Sequence, residues 1–157
     1  MRRLQGALIA LALAATVSAQ VTTSSLTVTG TINVGQTVTA AVTGAVPNAI
    51  SFLGAGPTLG TTTFNLGPLT TFSVGLAQPF IILPMGMTDA SGNVSLSASV
   101  PANLPPNVIQ NFTWHVQSVS LAFNFTMPAP GPLPPTFPLP TVQVSVSNIG
   151  TLISGTG

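Results

Sequence analysis

Apolar residues alternate with serine and threonine along much of this chain. The most regular stretch is 94–100, in which valine, leucine and alanine are separated by three serines. Residues 142–146 repeat the pattern with valine, and 26–34, 38–42 and 72–76 follow it. A period of two predicts strands with one face on a core and the other in water. We expect the apolar residues on the core face and serine and threonine, which tolerate strand geometry, on the water face.

Two segments depart from this alternation. Phe80–Leu83 is a continuous apolar run framed by Pro79 and Pro84, which predicts a short strand buried on both sides. Residues 112–125 change phase, because their apolar parity switches in the middle of the segment. The switch predicts a bulge or turn near Gln117–Ser118 that either bends one strand or divides it in two.

The chain from residue 20 onward shows no sustained helical spacing with capping residues. Eight to ten strands, separated by turns that contain glycine or proline, indicate an all-β fold. We expect a single antiparallel β-sandwich, either Ig-like or jelly-roll-like. Its predicted core contains Leu96, Phe112, Trp114, Phe123 and Val144.

The first nineteen residues have the order of a secretory signal peptide. A short basic start at Met1–Arg3 precedes a mostly apolar segment from Leu4 to Val17, and Val17–Ala19 carries small or β-branched residues where a signal peptidase cuts. The apolar segment is shorter than the ~20 residues that span a bilayer. We therefore expect residues 1–19 to be removed and 20–157 to form one domain, secreted or at the cell surface.

Charged side chains are almost absent. They are Arg2, Arg3 and Asp89, and both arginines lie within the predicted signal peptide. Nucleic-acid binding and binding to anionic membrane surfaces require lysine or arginine, so we exclude both for the exported domain. We also expect no integral membrane span in residues 20–157.

A proline-rich loop is expected at residues 128–140, which contain seven prolines. This composition predicts extended, polyproline-like chain between the last two strands. The loop includes a PxxP sequence, but no arginine flanks it. A stiff connection is therefore favoured over a recognition motif.

Several turn and strand sequences resemble those of a known family. They are residues 35–49 (GQTVTAAVTGAVPNA), followed by Phe52–Gly54, then 88–96 (TDASGNVSL), and Ser147-Asn148. Over about residues 25–155, the chain resembles a secreted β-sandwich domain of unknown function that exported proteins of planctomycetes and similar bacteria carry in many copies. The resemblance implies a sandwich fold and an extracellular location, and it brings no catalytic residues.

The inventory of reactive side chains is small. The chain has no cysteine, one histidine (His115) and one acidic residue (Asp89). A Ser-His-Asp triad would have to use this pair, and no Gly-x-Ser-x-Gly sequence is present. Hydrolysis by two carboxylates is impossible with one, and a zinc site needs three or four ligands. We therefore expect no enzyme activity, no metal site and no cofactor.

Residues 89–93 (DASGN) have oxygen-bearing side chains at alternate positions, as a calcium loop does. One carboxylate neutralises a dication poorly, and the acidic residue expected at the end of such a loop is missing. The segment is therefore predicted to be a hairpin turn. In such a turn the Asp89 side chain accepts backbone N–H bonds and Gly92 adopts a positive φ.

The candidate ligand platform consists of Trp114 and Phe112 with His115 beside them, since lectin-like domains stack sugars on exposed rings. Parity places both aromatic rings toward the core and His115 toward water.

Two functions follow as hypotheses. One is an exported, non-enzymatic structural or interaction domain that self-associates at the cell surface or in the extracellular matrix, because uncharged edge strands favour association. The other is a secreted carbohydrate-binding module for cell-surface or matrix glycans.

Overall fold

The computed structural model describes residues 20–105, 111–126, 131 and 139–154. Within these ranges the chain forms ten β-strands and no helix, so the all-β prediction is confirmed. The predicted signal peptide and most of the proline-rich segment lie outside the described residues. The strands are β1 (Gln20–Thr29), β2 (Thr37–Thr43), β3 (Ile50–Gly56), β4 (Leu59–Asn65), β5 (Thr71–Leu76), β6 (Ile81–Met87), β7 (Val94–Ser99), β8 (Thr113–Asn124), β9 (Thr141–Ser147) and β10 (Gly150–Ile153).

Eight strands belong to one mixed sheet that nearly closes into a barrel. Its order is β6-β3-β8-β9-β1-β2-β7, with β10 also paired to β8, and the end strands β6 and β7 approach each other. β4 and β5 form a separate two-stranded sheet. The prediction of a purely antiparallel arrangement is wrong, because β1 runs parallel to β9.

β1 changes its pairing partner halfway along its length. Gln20–Ser24 pairs with β9, whereas Ser25–Thr29 pairs with β2. Next to the change, the Asn148 side chain replaces a neighbouring strand. Its Oδ1 accepts the N–H of Leu26 at 2.7 Å, and its Nδ2 donates to the Leu26 carbonyl at 3.0 Å. Buried backbone groups must be paired, so Asn148 completes the hydrogen bonding of β1 where β9 ends.

The irregularity predicted near Gln117–Ser118 lies in the neighbouring strands. β8 is a single strand that pairs with β3 without interruption. On its other edge, Val116 is opposite Gly150 in β10, and Val119 is opposite Val146 in β9. Residues 147–149, from the end of β9 to the start of β10, therefore face two residues of β8, and the extra residue is in the partner segment, as in a β-bulge.

Apolar side chains form two main clusters on opposite faces of the β3-β8-β9 part of the large sheet. The inner cluster lies within the nearly closed sheet and contains Leu26, Ala40, Val42, Ala45, Leu53, Ala55, Met85 and Val116. The outer cluster lies between this sheet and the β4–β5 hairpin and contains Phe72, Val74, Leu76, Val142 and Val144. β8 and β9 are consequently covered on both faces over much of their length.

The predicted core is correct in part. Val144 is fully buried in the outer cluster, and Leu96 and Trp114 are half-buried against the inner cluster. Phe112 is also half-buried. Phe123 is 42% exposed, so its core assignment is wrong. It lies farther along β8 than the residues that pack against the hairpin.

The expectation that serine faces water is wrong for β8 and β9. Ser118, Ser120 and Ser145 are fully buried. The two serines of β8 share the face of Val116, which belongs to the inner cluster, and Ser145 is directly opposite Ser120. Because the β4–β5 hairpin covers the valine face, the serine face is the one that lines the interior.

The run Phe80–Leu83, which was predicted to be buried on both sides, is instead largely exposed because it lies at the edge of the large sheet. β6 is at one end of the large sheet, and its residues Ile81, Ile82 and Leu83 are 39–55% exposed. The prediction of burial on both sides is therefore wrong. The edge strand β7, by contrast, has the exposed serines that alternation predicts.

Candidate functional site: an apolar cleft beside an edge strand

The β4–β5 hairpin lies over the outer face of the large sheet. Alternation in β5 directs its three apolar side chains into the outer cluster. Glycines in β3 allow the close approach of the covering residues. A Cβ at Gly54 would lie 3.1 Å from Leu76 Cδ1, and a Cβ at Gly56 would lie 2.8 Å from Phe80 Cβ. A larger residue at position 54 would displace Leu76 of the hairpin, and one at position 56 would displace Phe80, which directly precedes β6.

A cleft of about 220 Å³ remains between the hairpin and strands β3, β6 and β8. Its lining includes four phenylalanines, Phe52, Phe64, Phe72 and Phe80. Phe64 stacks on Phe72 with ring centroids 5.2 Å apart and meets Phe80 edge to face at 6.2 Å. Stacked and edge-to-face contacts are the arrangements that aromatic pairs prefer, so these rings fix one another in position.

Among the described residues, Gln117 is the one polar side chain that lines the cleft. Its Oε1 accepts the N–H of Gly75 in the hairpin at 2.6 Å, and its Nε2 donates to the Ser147 carbonyl at 2.7 Å. Both groups of the amide are therefore used in fastening the hairpin to the sheet. The described residues of the cleft therefore offer an incoming molecule apolar contact and no side-chain charge.

Exposed apolar side chains continue outward from the cleft on the same face of the sheet. Ile50 of β3 is directly opposite Met87 of β6, and Ile82 of β6 is opposite the cleft residue Gly54. Phe123 follows the cleft residue Leu121 on the same face of β8. We call Ile50, Ile82, Met87 and Phe123 the β3–β6 surface; each is between 42% and 65% exposed.

The sequence-predicted platform is only partly assembled. Phe112 and Trp114 stack with ring centroids 4.9 Å apart at an interplanar angle of 29°. Each ring therefore covers one face of the other, and Trp114 also packs against the inner cluster. His115 lies on the opposite face of β8 and is half-buried rather than exposed. The three side chains do not form one continuous surface.

The predicted turn at Asp89 is confirmed. Asp89 Oδ1 accepts the backbone N–H groups of Ser91 and Asn93, both at 2.8 Å, and Gly92 has φ +77°. The pKa of Asp89 is lowered from its ordinary value, chiefly by the hydrogen bond from the Asn93 backbone. The carboxylate is thus engaged in holding the β6–β7 turn, where a Cβ at Gly92 would collide with the carbonyl oxygen of Ala45.

Comparison with protein-family models, with curated proteins and with solved structures finds no match. Among the described residues, no three His, Cys, Asp or Glu side chains are grouped closely enough to hold a metal ion. The same residues contain no helix of sufficient length and apolarity to cross a membrane.

Sequence reasoning missed the cleft and the β3–β6 surface. A signal for the exposed strand was nevertheless present, because Pro84 interrupts the apolar run and proline within sheets is largely confined to edge strands and bulges. The cleft had no comparable signal. Its lining comes from several strands, and β4 has a run of threonines with little apolar periodicity.

Proposed function

We propose that this chain is an exported, non-enzymatic structural or interaction domain that self-associates at the cell surface or in the extracellular matrix. The main support is the chemistry of the edge strands. β6 and β7, the two ends of the large sheet, carry no charged side chain. Soluble proteins protect such edges with lysine, inward-pointing charges or proline. Here Pro84 is the protection of β6, and β7 contains none of these residues.

The charge inventory supports the same proposal. Among the described residues, Asp89 and His115 are the titratable side chains, and Asp89 is held within a turn. Copies with so little net charge repel one another weakly. An assembly of such copies depends little on salt, because there is little charge to screen.

The location and the detailed architecture are also proposals. Residues 1–19 have the order of a signal peptide and support export. Two observations support a sandwich. β1 pairs with β9 along its first half and with β2 along its second half, so it joins two parts of the sheet. The inner cluster contains residues of β1 and β2 together with residues of β3 and β8. Facing layers of a sandwich pack their inner side chains in this way.

Sedimentation velocity tests the proposed self-association. The exported protein is measured over a concentration series at low and at high salt. We expect oligomers whose fraction rises with concentration and changes little with salt. A monomer at every concentration contradicts the proposal, and an N-terminus other than Gln20 in the exported protein contradicts the predicted cleavage.

A carbohydrate-binding module is the alternative function. Its support is that Phe112 and Trp114 stack on each other and are half-buried rather than fully buried. Saturable binding on a glycan array, abolished by Trp114→Ala in a variant that keeps its fold, would favour this alternative. Catalytic activity lost specifically in His115→Ala or Asp89→Ala would instead contradict the non-enzymatic part of the proposal.

A further inference from the structure

We propose that a second copy of this chain packs face to face on the β3–β6 surface, about a two-fold axis. This inference rests on the proposed self-association and names the surface that mediates it. It starts from the continuity of the apolar residues. The register places Ile50 beside Met87, and Ile82 and Phe123 next to residues that line the cleft. The exposed side chains and the cleft are therefore one apolar region on the outer face of the sheet.

The exposed apolar area matches what a dimer needs. The four residues of the β3–β6 surface are 42–65% exposed. With ~200 Å² for each fully exposed large side chain, they present on the order of 400 Å² of apolar surface. About two-thirds of a homodimer interface is apolar, so the corresponding interface is ~650 Å² per copy, or ~1,300 Å² in total, within the range that stable complexes bury.

The absence of charge points to a second copy as the partner. The residues of the β3–β6 surface carry no charge, and Gln117 in the cleft already uses both of its amide groups. The surface therefore offers a charged partner no ion pair, and a matching partner must itself present uncharged apolar side chains. A two-fold axis supplies such a partner, because each copy then presents the same surface to the other.

Face-to-face packing is favoured over pairing of the β6 edges. Pro84 lies in the middle of β6, has no N–H to donate and interrupts the edge. The cleft, in addition, can receive a side chain. Its volume of about 220 Å³ exceeds the ~150 Å³ of a cavity that holds benzene, so a phenyl ring fits. Phe123 of the second copy is the aromatic anchor, of the kind that dominates interface energetics.

Lysine substitutions distinguish this surface from other surfaces of the domain. Ile82→Lys and Met87→Lys each place a charge on a side chain that is more than half exposed, so the fold is retained. Thr63→Lys on the hairpin is the matched control at an exposed position, and Ser97→Lys tests the edge strand β7 as the competing surface. Far-UV circular dichroism checks the fold, and sedimentation velocity measures association.

We expect Ile82→Lys and Met87→Lys to weaken association at least tenfold. The control Thr63→Lys should associate as the wild type does, and so should Ser97→Lys if the β7 edge is not the interface. If the wild type self-associates but Ser97→Lys disrupts it and the two surface variants do not, this inference fails and the proposed self-association stands. A wild type that is monomeric at every concentration contradicts both.

Thiol protection provides a second measurement that does not depend on weakening the interface. The chain has no cysteine, so single variants Met87→Cys and Ser97→Cys each carry one reactive group. We expect the labelling rate of Met87→Cys to fall at least tenfold from dilute to concentrated protein, and that of Ser97→Cys to remain constant. Equal behaviour of the two variants in an associating protein overturns the inference.

Discussion

The two faces of β8 and β9 are both buried, and they are chemically opposite. The outer face carries Val119, Val142 and Val144, which pack against the β4–β5 hairpin. The inner face carries Ser120 and Ser145, which are fully buried within the nearly closed sheet. Alternation thus identifies two faces but does not tell which one water reaches, since water reaches neither face over the part of these strands that the hairpin covers.

Hydrogen bonds accommodate the hydroxyls of Ser120 and Ser145. The Ser120 hydroxyl donates to Ser51 Oγ at 3.0 Å, and Ser145 Oγ accepts the N–H of Val46 at 3.3 Å. A buried hydroxyl is costly without a partner, so these contacts make the inner face tolerable rather than strongly stabilising. Ser118 Oγ is buried with no partner among the described residues. The outer face depends on removal of apolar area from water and on close packing.

Placing a charge on the inner face of β9 should destabilise the fold more than any other change considered. Ser145→Lys puts an ammonium group at a fully buried position, where an unpaired charge costs more than about 3 kcal/mol. We expect loss of the cooperative fold, measured by urea denaturation followed by circular dichroism. Ser97→Lys, at an exposed serine of the alternating strand β7, is the control and should unfold within ~0.5 kcal/mol of the wild type. Similar stabilities for the two variants would contradict an interior serine face.

Truncation of the outer face should have the next largest effect. Leu76 is 1% exposed and contacts the sheet from the hairpin. Leu76→Ala should lower the free energy of unfolding by about 2–5 kcal/mol, because it removes buried methyl groups and leaves a cavity. Leu59→Ala, at a position of the same hairpin that is 52% exposed, should change it by less than ~1 kcal/mol. Equal losses would show that the hairpin is not packed as described.

Alternation and turn chemistry predicted much of the local structure. Residues 72–76 and 94–100 were expected as strands and correspond to β5 and β7. The Asp89 turn followed from the ability of a short acidic side chain to bond backbone two and four residues ahead. These features depend on neighbours in sequence, which is why the pattern contains them.

The face exposed to solvent could not be predicted, because distant segments decide it. The hairpin that covers Val144 is about seventy residues earlier in the chain than β9. The alternation of valine and serine in β9 does not indicate that this hairpin packs against the valines. Phe123 was assigned to the core for the same reason. Its parity is that of the covered residues Val119 and Leu121, but the hairpin does not reach it. The cleft likewise exists only once the hairpin has packed.

Removal of a single serine hydroxyl from the inner face should change the free energy of unfolding only slightly, and the sign should depend on the serine. Ser120→Ala deletes the donor to Ser51 Oγ and should cost about 1 kcal/mol. Ser118→Ala deletes a buried hydroxyl with no partner among the described residues, so stability should stay the same or rise by up to ~1 kcal/mol. Urea denaturation of the two variants side by side measures the difference. A larger loss for Ser118→Ala would contradict this hydrogen-bond assignment.

Substitution of Asp89 should change the stability of the fold least, because Asp89 lies in a surface turn and not on the inner or outer face of β8 and β9. Its pKa is lowered in the folded chain, first by the Asn93 backbone N–H. The resulting stabilisation is fully present above the unfolded pKa of ~3.9 and is lost as the pH falls through the lower folded pKa. The wild type should therefore lose more thermal stability between pH 5 and pH 2 than the Asp89→Asn variant does. An unchanged pH dependence would show that the turn does not hold the carboxylate.

Thiol labelling of β9 is the most direct test of an interior serine face. The chain contains no cysteine, so Ser145→Cys and Ser97→Cys each introduce one thiol of nearly serine size. In folded, dilute protein, Ser97→Cys should react as fast as it does in urea. Ser145→Cys should react at least ~100-fold more slowly than in urea, because reaction requires opening of the sheet. Equally fast reaction of both thiols in the folded protein would contradict the account.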